Sequence, residues 1–333
     1  MLPKSVTTLT PQRISFAGGG TDFEEYYKDH EGAVLSSTID KYIYVTVKRH
    51  SKLFNESYRL SYYDSEHVNK IDEIKNDIAR ECLKLVSLDP PLHISTSADL
   101  PSSSGLGSSS SFAVGLLHAL HLMKGEKISC CQLAEEACHV EIKMLNKPIG
   151  KQDQYAVAFG GLNFFKFEKN QRVSIDHIWE PHGGSSYLFN DLILFWTGVQ
   201  RNSEDILLEQ KDNIDQRLES LNTLKSLAYD LKDIVLNVNN NNSAAIGEIL
   251  DKSWKLKKGL SSKITNKFID NCYSKALNCG AYGGKVAGAG GGGFLMIFAE
   301  EQYKELIINQ LPELIYTPIQ FEPRGTRLLS LVN

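Results

Sequence analysis

The sequence predicts an α+β chain of two domains, on three observations. Its 333 residues exceed one domain of ordinary size. Segments with strand and helix periodicity follow one another along it, but not in the strict βαβ order of a doubly wound sheet. Its 42% hydrophobic and 23% charged content suits a chain with ample core and excludes disorder.

Taken in order, residues 12–16, 33–36 and 42–48 read as strands, the last with Ile43, Val45 and Val47 on one face. Residues 66–86 place Val68, Ile71, Ile74, Ile78 and Leu83 at helical spacing. A short strand at 92–95 enters a Pro/Ser/Gly stretch at 99–111, and an apolar helix then runs through Phe112, Leu116 and Leu120 to Gly125. Ser129 is placed to cap a helix over 130–145, which Pro148 and Gly150 terminate. Residues 152–158 lead to Gly160-Gly161 and a hairpin-like run over 162–178. The turn-rich cluster at 181–186 divides the chain into expected domains of 1–182 and 183–333. Beyond it lie a strand over 187–196, helices near 204–235 and 244–258, and a polar loop at 239–242 between them. A helix over 266–278, a glycine run, a strand over 293–298, a helix over 302–310 and a strand near 316–321 complete the chain.

A net charge of −4 argues against nucleic acid as a partner, because phosphate-backbone binding needs a basic footprint. No stretch approaches the ~18 apolar residues of a membrane span, and the first residues lack a signal peptide's apolar core. Six cysteines without CxxC spacing are expected to be reduced, mostly buried thiols of a cytoplasmic protein. His118, His121 and His139 have no carboxylate or Cys at ligand spacing and are expected in core or surface roles rather than on a metal.

Four segments can carry chemistry. The sharpest is Pro101-Ser-Ser-Ser104-Gly105-Leu106-Gly107-Ser108-Ser109-Ser110, between a strand and an apolar helix. Glycines admit close approach of backbone amides to an oxyanion, a helix N-terminus adds aligned donors, and hydroxyls add metal ligands. The alternative is a flexible Ser/Gly loop with an ordinary cap. A second glycine run at 287–293 resembles GxGxxG, but an apolar strand follows where a dinucleotide fingerprint needs a helix. It reads as close packing beside a bound phosphate, or as a bulged hairpin. In the third segment, Arg13 precedes Gly18-Gly19-Gly20-Thr21-Asp22, which suits a hydroxyl-rich ligand; Asp22 could instead cap a helix at 23–28. A buried Arg13 requires a carboxylate. Fourth, Glu141 and Asp153 can converge on a metal-phosphate centre, with Asp153 accepting a hydroxyl proton.

Together these segments resemble the GHMP small-molecule kinases over nearly the whole chain. Residues 101–110 match the family's P-x3-G-L-G-S-S-A motif with Ser110 for the Ala, and 285–293 match its C-terminal glycine motif. The resemblance implies a two-domain fold, a ribosomal protein S5 domain 2-like N-terminal domain followed by a ferredoxin-like C-terminal one. Residues 16–22 depart from the Gly-Glu-His of galactokinases and mevalonate kinases. Residues 13–22, 32–42 and 150–155 instead look like the branch that phosphorylates the anomeric hydroxyl of D-glycero-D-manno-heptose 7-phosphate, on the way to GDP-heptose and surface polysaccharide. Fucose kinases share part of this pattern, and a non-catalytic sensor of nucleotide or sugar phosphate is the alternative outside enzymes.

The resemblance assigns the ATP phosphates to the loop from Pro101 through Ser104, Gly105, Leu106, Gly107 and Ser108 to Ser110. It gives Mg²⁺ to Ser109 and Glu141, and the reacting hydroxyl to Asp153 paired with Arg13. Gly19, Gly20, Thr21 and Asp22 would read sugar hydroxyls, with Gly290 and Gly291 lining the substrate. A distal phosphate needs a basic clamp, for which Lys41, Lys151 and Arg201 are candidates. Whether the chain forms a homodimer is left open.

Overall fold

A computed structural model describes residues 2–51, 53–178, 188–200, 203–237 and 242–333. The boundary cluster at 181–186, Arg201 and most of the polar loop at 239–242 lie outside the described residues.

Two long antiparallel strands dominate: β1 (Ser5–Ala17) and β2 (Gly32–Arg49). The segments expected as separate strands at 33–36 and 42–48 are therefore one. A register shift at Pro11/Gln12 accommodates the missing N–H of Pro11, so pairing continues past it, and a second shift falls at Ser15/Ala17. Hydrophobic periodicity misses the middle of β2 because its buried residues there are polar and satisfied: Ser36 Oγ donates to Ile14 O (3.0 Å) and Thr38 Oγ1 to Glu322 O (2.6 Å).

The two halves of β2 have different second neighbours, β6 (Leu162–Phe167) for the first half and β5 (Leu92–Ala98) for the second. The helix expected over 66–86 is a strand, a 3-10 turn and a shorter helix. Chain segment β4 (Ser65–Val68) pairs with β3 (Tyr58–Ser61), which no sequence signal had marked. Helix α2 starts only at Asp77 (Asp77–Val86), because Glu66 accepts the amides of Lys75 (2.5 Å) and Asn76 (2.9 Å) and Asn76 caps Ala79 (3.0 Å).

The large sheet runs β12-β1-β2-β5-β3-β4, with β6 attached to β2 and β7 (Val173–His177) to β6. Strand β12 (Arg327–Val332) was not expected; it is an edge held by backbone pairing, with Leu328, Leu329 and Leu331 exposed, so no apolar face announces it.

After α1 (Glu24–His30) and α2, helix α3 (Ser108–Met123) lies directly on this sheet. Thr8 Oγ1 donates to Gly115 O (2.8 Å), and a Cβ on Gly115 would sit 2.6 Å from Thr10 Oγ1, so only glycine allows this approach. Helices α4 (Cys130–Cys138) and α5 (Gln152–Phe159) cover α3. The single helix expected over 130–145 becomes a π-helix at His139–Met144, where Leu145 N–H reaches Val140 O at 3.0 Å. The wider turn changes the phase of the face beyond it and leaves Glu141 fully buried.

The second sheet runs β11-β8-β10-β9, from Ile315–Tyr316, Leu192–Trp196, Phe294–Phe298 and Gly283–Val286. β11 ends at Tyr316, so the expected strand to 321 shrinks to two residues plus one bridge from Phe321 to Ile39. The helix expected over 204–235 is two, α6 (Ser203–Asp212) and α7 (Leu218–Leu236); α8 (Asn242–Lys258), α9 (Lys267–Asn278) and α10 (Glu301–Gln310) follow. One core cluster joins Ile14, Phe16 and Leu35 of the large sheet to Leu231 of α7, Leu250 of α8 and Met296 of β10. That apolar seam fixes the two sheets against each other.

The thiols correct another expectation: all six are free, but only Cys82, Cys138 and Cys272 are buried, while Cys130 and Cys131 are exposed on the first turn of α4.

Candidate active site

The serine-glycine loop is ordered by its surroundings. Gly105 and Gly107 take φ of +84° and +78°, a region costly for other L-residues, and Gly107 is the N-cap of α3. The amide of Arg13 donates to Leu106 O (3.0 Å), tying the loop to β1. The run that links β9 to β10 then stacks on it, backbone against backbone. A Cβ on Gly105 would lie 2.7 Å from Ala287 O, one on Gly288 2.6 Å from Gly105 O, and one on Gly293 2.3 Å from Ser104 O. The run is thus the bulged hairpin and the close packing at once, and it leaves α3's first amides facing a cavity of about 340 Å³.

Arg13 and Asp153 meet in this cavity. Arg13 Nε donates to Asp153 Oδ1 (2.7 Å) and Nη2 to Oδ2 (2.5 Å), a two-pronged pair, while Nη1 donates to Gly105 O (2.7 Å). Arg13 is 4% exposed, so it has the carboxylate that its burial demands. One guanidinium therefore positions both the loop and the carboxylate.

Asp22 does not cap the following helix, whose N-cap Phe23 makes no side-chain bond. It turns toward the cavity, accepting Gly20 N–H (3.0 Å), Gln152 N–H (3.2 Å) and Gln152 Nε2 (3.0 Å). Burial, then the charge of Asp153, raises its pKa above the usual carboxylate value. Gly150 packs against it so closely that a Cβ would come within 2.0 Å of Asp22 Oδ2.

Glu141 accepts from Ser109 Oγ, from Ser110 Oγ (2.8 Å) and from Gln154 Nε2 (2.7 Å). Its burial pushes its pKa up, and these partners are all neutral. One carboxylate and one hydroxyl beside the serine-glycine loop fit Mg²⁺, which takes few protein ligands and fills its octahedron with water and phosphate oxygens. Among the described residues no three His, Cys, Asp or Glu side chains form a metal group by themselves.

Other expected residues fall elsewhere. Leu106 is core, Pro101 is exposed off the cavity wall, and Gly291 N–H binds Ile264 O (2.6 Å) beside Gly290, which does line the cavity. Thr21 is buried and braces the turn, its hydroxyl donating to Gly18 O (2.8 Å) and Ala33 O (3.1 Å). Lys41 pairs with Asp40 (3.2 Å); Lys151 donates to Gln171 O (3.2 Å) and lies over the Tyr27 ring; neither lines the cavity. His121 does meet carboxylates, Glu126 (2.6 Å) and Glu136 (2.8 Å), as an ion-pair bridge that sequence spacing did not reveal.

Wall residues that had not been singled out include three lysines, of which Lys147 stands 3.5 Å from Asp77. Lys285 Nζ donates to Ser15 O (2.9 Å) and Phe16 O (3.0 Å), and Lys257 Nζ to Gly288 O and Val286 O. Lys285 directly precedes the glycine run and could have been found there, whereas Lys257 reads as one of several lysines ending an amphipathic helix.

A serine-glycine loop, a glycine turn and an arginine-paired aspartate line one cavity, and the chain belongs to the GHMP kinases. Residues 70–161 match the GHMP kinases N terminal domain, and 234–317 the GHMP kinases C terminal. D-glycero-alpha-D-manno-heptose 7-phosphate kinase of Campylobacter jejuni is 33% identical over 323 residues, covering 92% of this chain and 93% of that protein. A galactokinase of Pyrococcus furiosus is 25% identical over 91% of both chains. The crystal structure of a D-glycero-D-manno-heptose 1-phosphate kinase from Bacteroides thetaiotaomicron superimposes with a TM-score of 0.80 at 25% identity, over 98% of this chain and 100% of that one. The chain is accordingly an ATP-using phosphotransferase with an alcohol acceptor, and the sensor alternative is set aside.

Proposed function

We propose that this kinase transfers the γ-phosphoryl group of ATP to the anomeric C1 hydroxyl of D-glycero-D-manno-heptose 7-phosphate, giving ADP, the 1,7-bisphosphate and a proton. Its product would feed GDP-heptose and surface polysaccharide synthesis in the cytoplasm, in keeping with six unpaired thiols. The observation that carries this reading is the Arg13–Asp153 pair, tied to the phosphate loop through Gly105 O and next in sequence to Gln152, the partner of Asp22.

Phosphoryl transfer calls for alignment and for cancellation of negative charge. The amides that open α3 receive the β- and γ-phosphates. Arg13 faces the transferred group and holds Asp153 in one orientation. Two of the roughly four lone-pair sites on Asp153 are taken by Arg13, which leaves room to accept the C1 hydroxyl proton. An anomeric hydroxyl is more acidic than an ordinary alcohol, which weakens the demand for a strong base, whether Asp153 removes the proton or orients the hydroxyl. Asp22 would receive ring hydroxyls. Ser109 and Glu141 would hold Mg²⁺, which when bound offsets charge on the phosphates.

Asp153→Asn tests the assignment: with ATP and heptose 7-phosphate, kcat falls by about 10³-fold while ATP binding persists. Turnover near that of the unaltered enzyme removes Asp153 from the role.

A further inference from the structure

An acceptor that arrives already phosphorylated needs a cation for its own phosphate, and neither Lys41 nor Lys151 reaches the cavity. A different wall offers one. Ser253 and Lys257 stand one turn apart on one face of α8, and both line the cavity. Lys257 donates only to backbone carbonyls, and among the described residues it makes no ion pair. Four side chains of this cavity carry a buried polar atom with no hydrogen-bond partner: Ser253 Oγ, Gln210 Nε2 and Ser15 Oγ, which can donate and sit in residues 2%, 8% and 6% exposed, and Gln152 Oε1, an acceptor on the side chain that bonds Asp22. Buried donors left unmade are costly, so such a set marks a place where a ligand completes the bonding.

Its position is on the acceptor side. A Cβ on Gly20 would lie 3.2 Å from Leu221 and 3.9 Å from Leu260, so the 18–22 turn touches α7 and the residues just after α8. Gln210 is brought to the same place, because its neighbour Glu209 accepts from Ser261 Oγ (2.7 Å) and Ser262 N–H (3.0 Å). Burial, then the charge of Arg13, lowers the pKa of Lys257 to about 8 against the opposing pull of Asp22, and burial, then the charges of Lys257 and Arg13, depresses that of Lys285. A dianion offsets the charge of Lys257, which no carboxylate pairs among the described residues, and an ammonium, a hydroxyl and an amide N–H are all donors, matching a group that only accepts.

We propose that Lys257, Ser253 and Gln210 form the subsite for the acceptor's own phosphate monoester. This deepens the reading of a phosphorylated sugar acceptor and rests on it. The other monoester in reach is the transferred phosphoryl group, and the test separates the two.

The experiment compares kcat/KM for D-glycero-D-manno-heptose 7-phosphate and for the same heptose without phosphate, in the unaltered enzyme and in Lys257→Gln, Lys257→Arg and Ser253→Ala. The expected result is a KM for the phosphorylated acceptor raised roughly 10- to 100-fold in Lys257→Gln, with the preference between acceptors falling by the same factor. Lys257→Arg keeps most of the preference, and Ser253→Ala loses a smaller part. A ratio is insensitive to general loss of folded enzyme, so a destabilised variant still reports. A preference unchanged in Lys257→Gln, whatever the absolute rate, overturns the subsite and assigns the lysine to the transferred group or to the fold. An unaltered enzyme that favours the unphosphorylated sugar overturns the heptose 7-phosphate reading and the subsite with it.

Discussion

Residue-scale physics explains why the cavity's charges have such different partners. Arg13 is buried and satisfied by a carboxylate and a carbonyl, so its charge is compensated before any ligand arrives. Glu141 is buried among two hydroxyls and an amide, which bond it without neutralising it. That imbalance is why burial raises its proton affinity, and a cation sharing Ser109 would reverse the effect. Replacing Ser109 by Ala removes one oxygen from this set while keeping the carboxylate. The Mg²⁺ concentration that gives half-maximal rate should then rise about tenfold at saturating ATP. An unchanged metal titration would count against the assignment.

Elements owe their boundaries here to polar side chains more than to periodicity. Glu66 delays the start of α2, and a π-turn ends α4, at points where the apolar pattern runs on unbroken. His121, near the end of α3, bridges Glu126 just beyond that helix and Glu136 on α4. Glu136, then Glu126, raises its pKa above the ordinary histidine value. A histidine whose folded pKa exceeds its unfolded one stabilises fully below about pH 6.5, and the contribution fades as pH climbs through the raised value. His121→Gln should therefore lower Tm by several degrees at pH 6, with a smaller gap at pH 9. Calorimetry at the two pH values decides it; a gap of constant size would show that His121 serves only as packing.

At the scale of the whole molecule, the chain ends where it began. β12 pairs with β1, and Arg327 Nη2 donates to Glu322 (2.9 Å), which also accepts from Tyr42 OH (2.5 Å). Deleting residues 327–333 should lower Tm by roughly 5 °C and promote self-association through the bared edge of β1, read by scanning calorimetry and light scattering. A truncated chain that melts and scatters like the intact one would show that the strand is dispensable. Much was legible beforehand: the glycines at 105, 107, 288 and 290–293, the apolar α3, and the requirement that a buried Arg13 find a carboxylate all follow from local chemistry. The unbroken β2, the strand β3, the edge strand β12, and the place of Lys257 on the cavity wall did not, because backbone pairing and hidden serines leave no apolar rhythm. Local sequence by itself determined which residues can cradle an anion, since conformational freedom and donor inventory belong to each residue. Tertiary structure alone decided which of them meet, and which lysines face the cavity, since those depend on an apolar seam joining residues hundreds of positions apart.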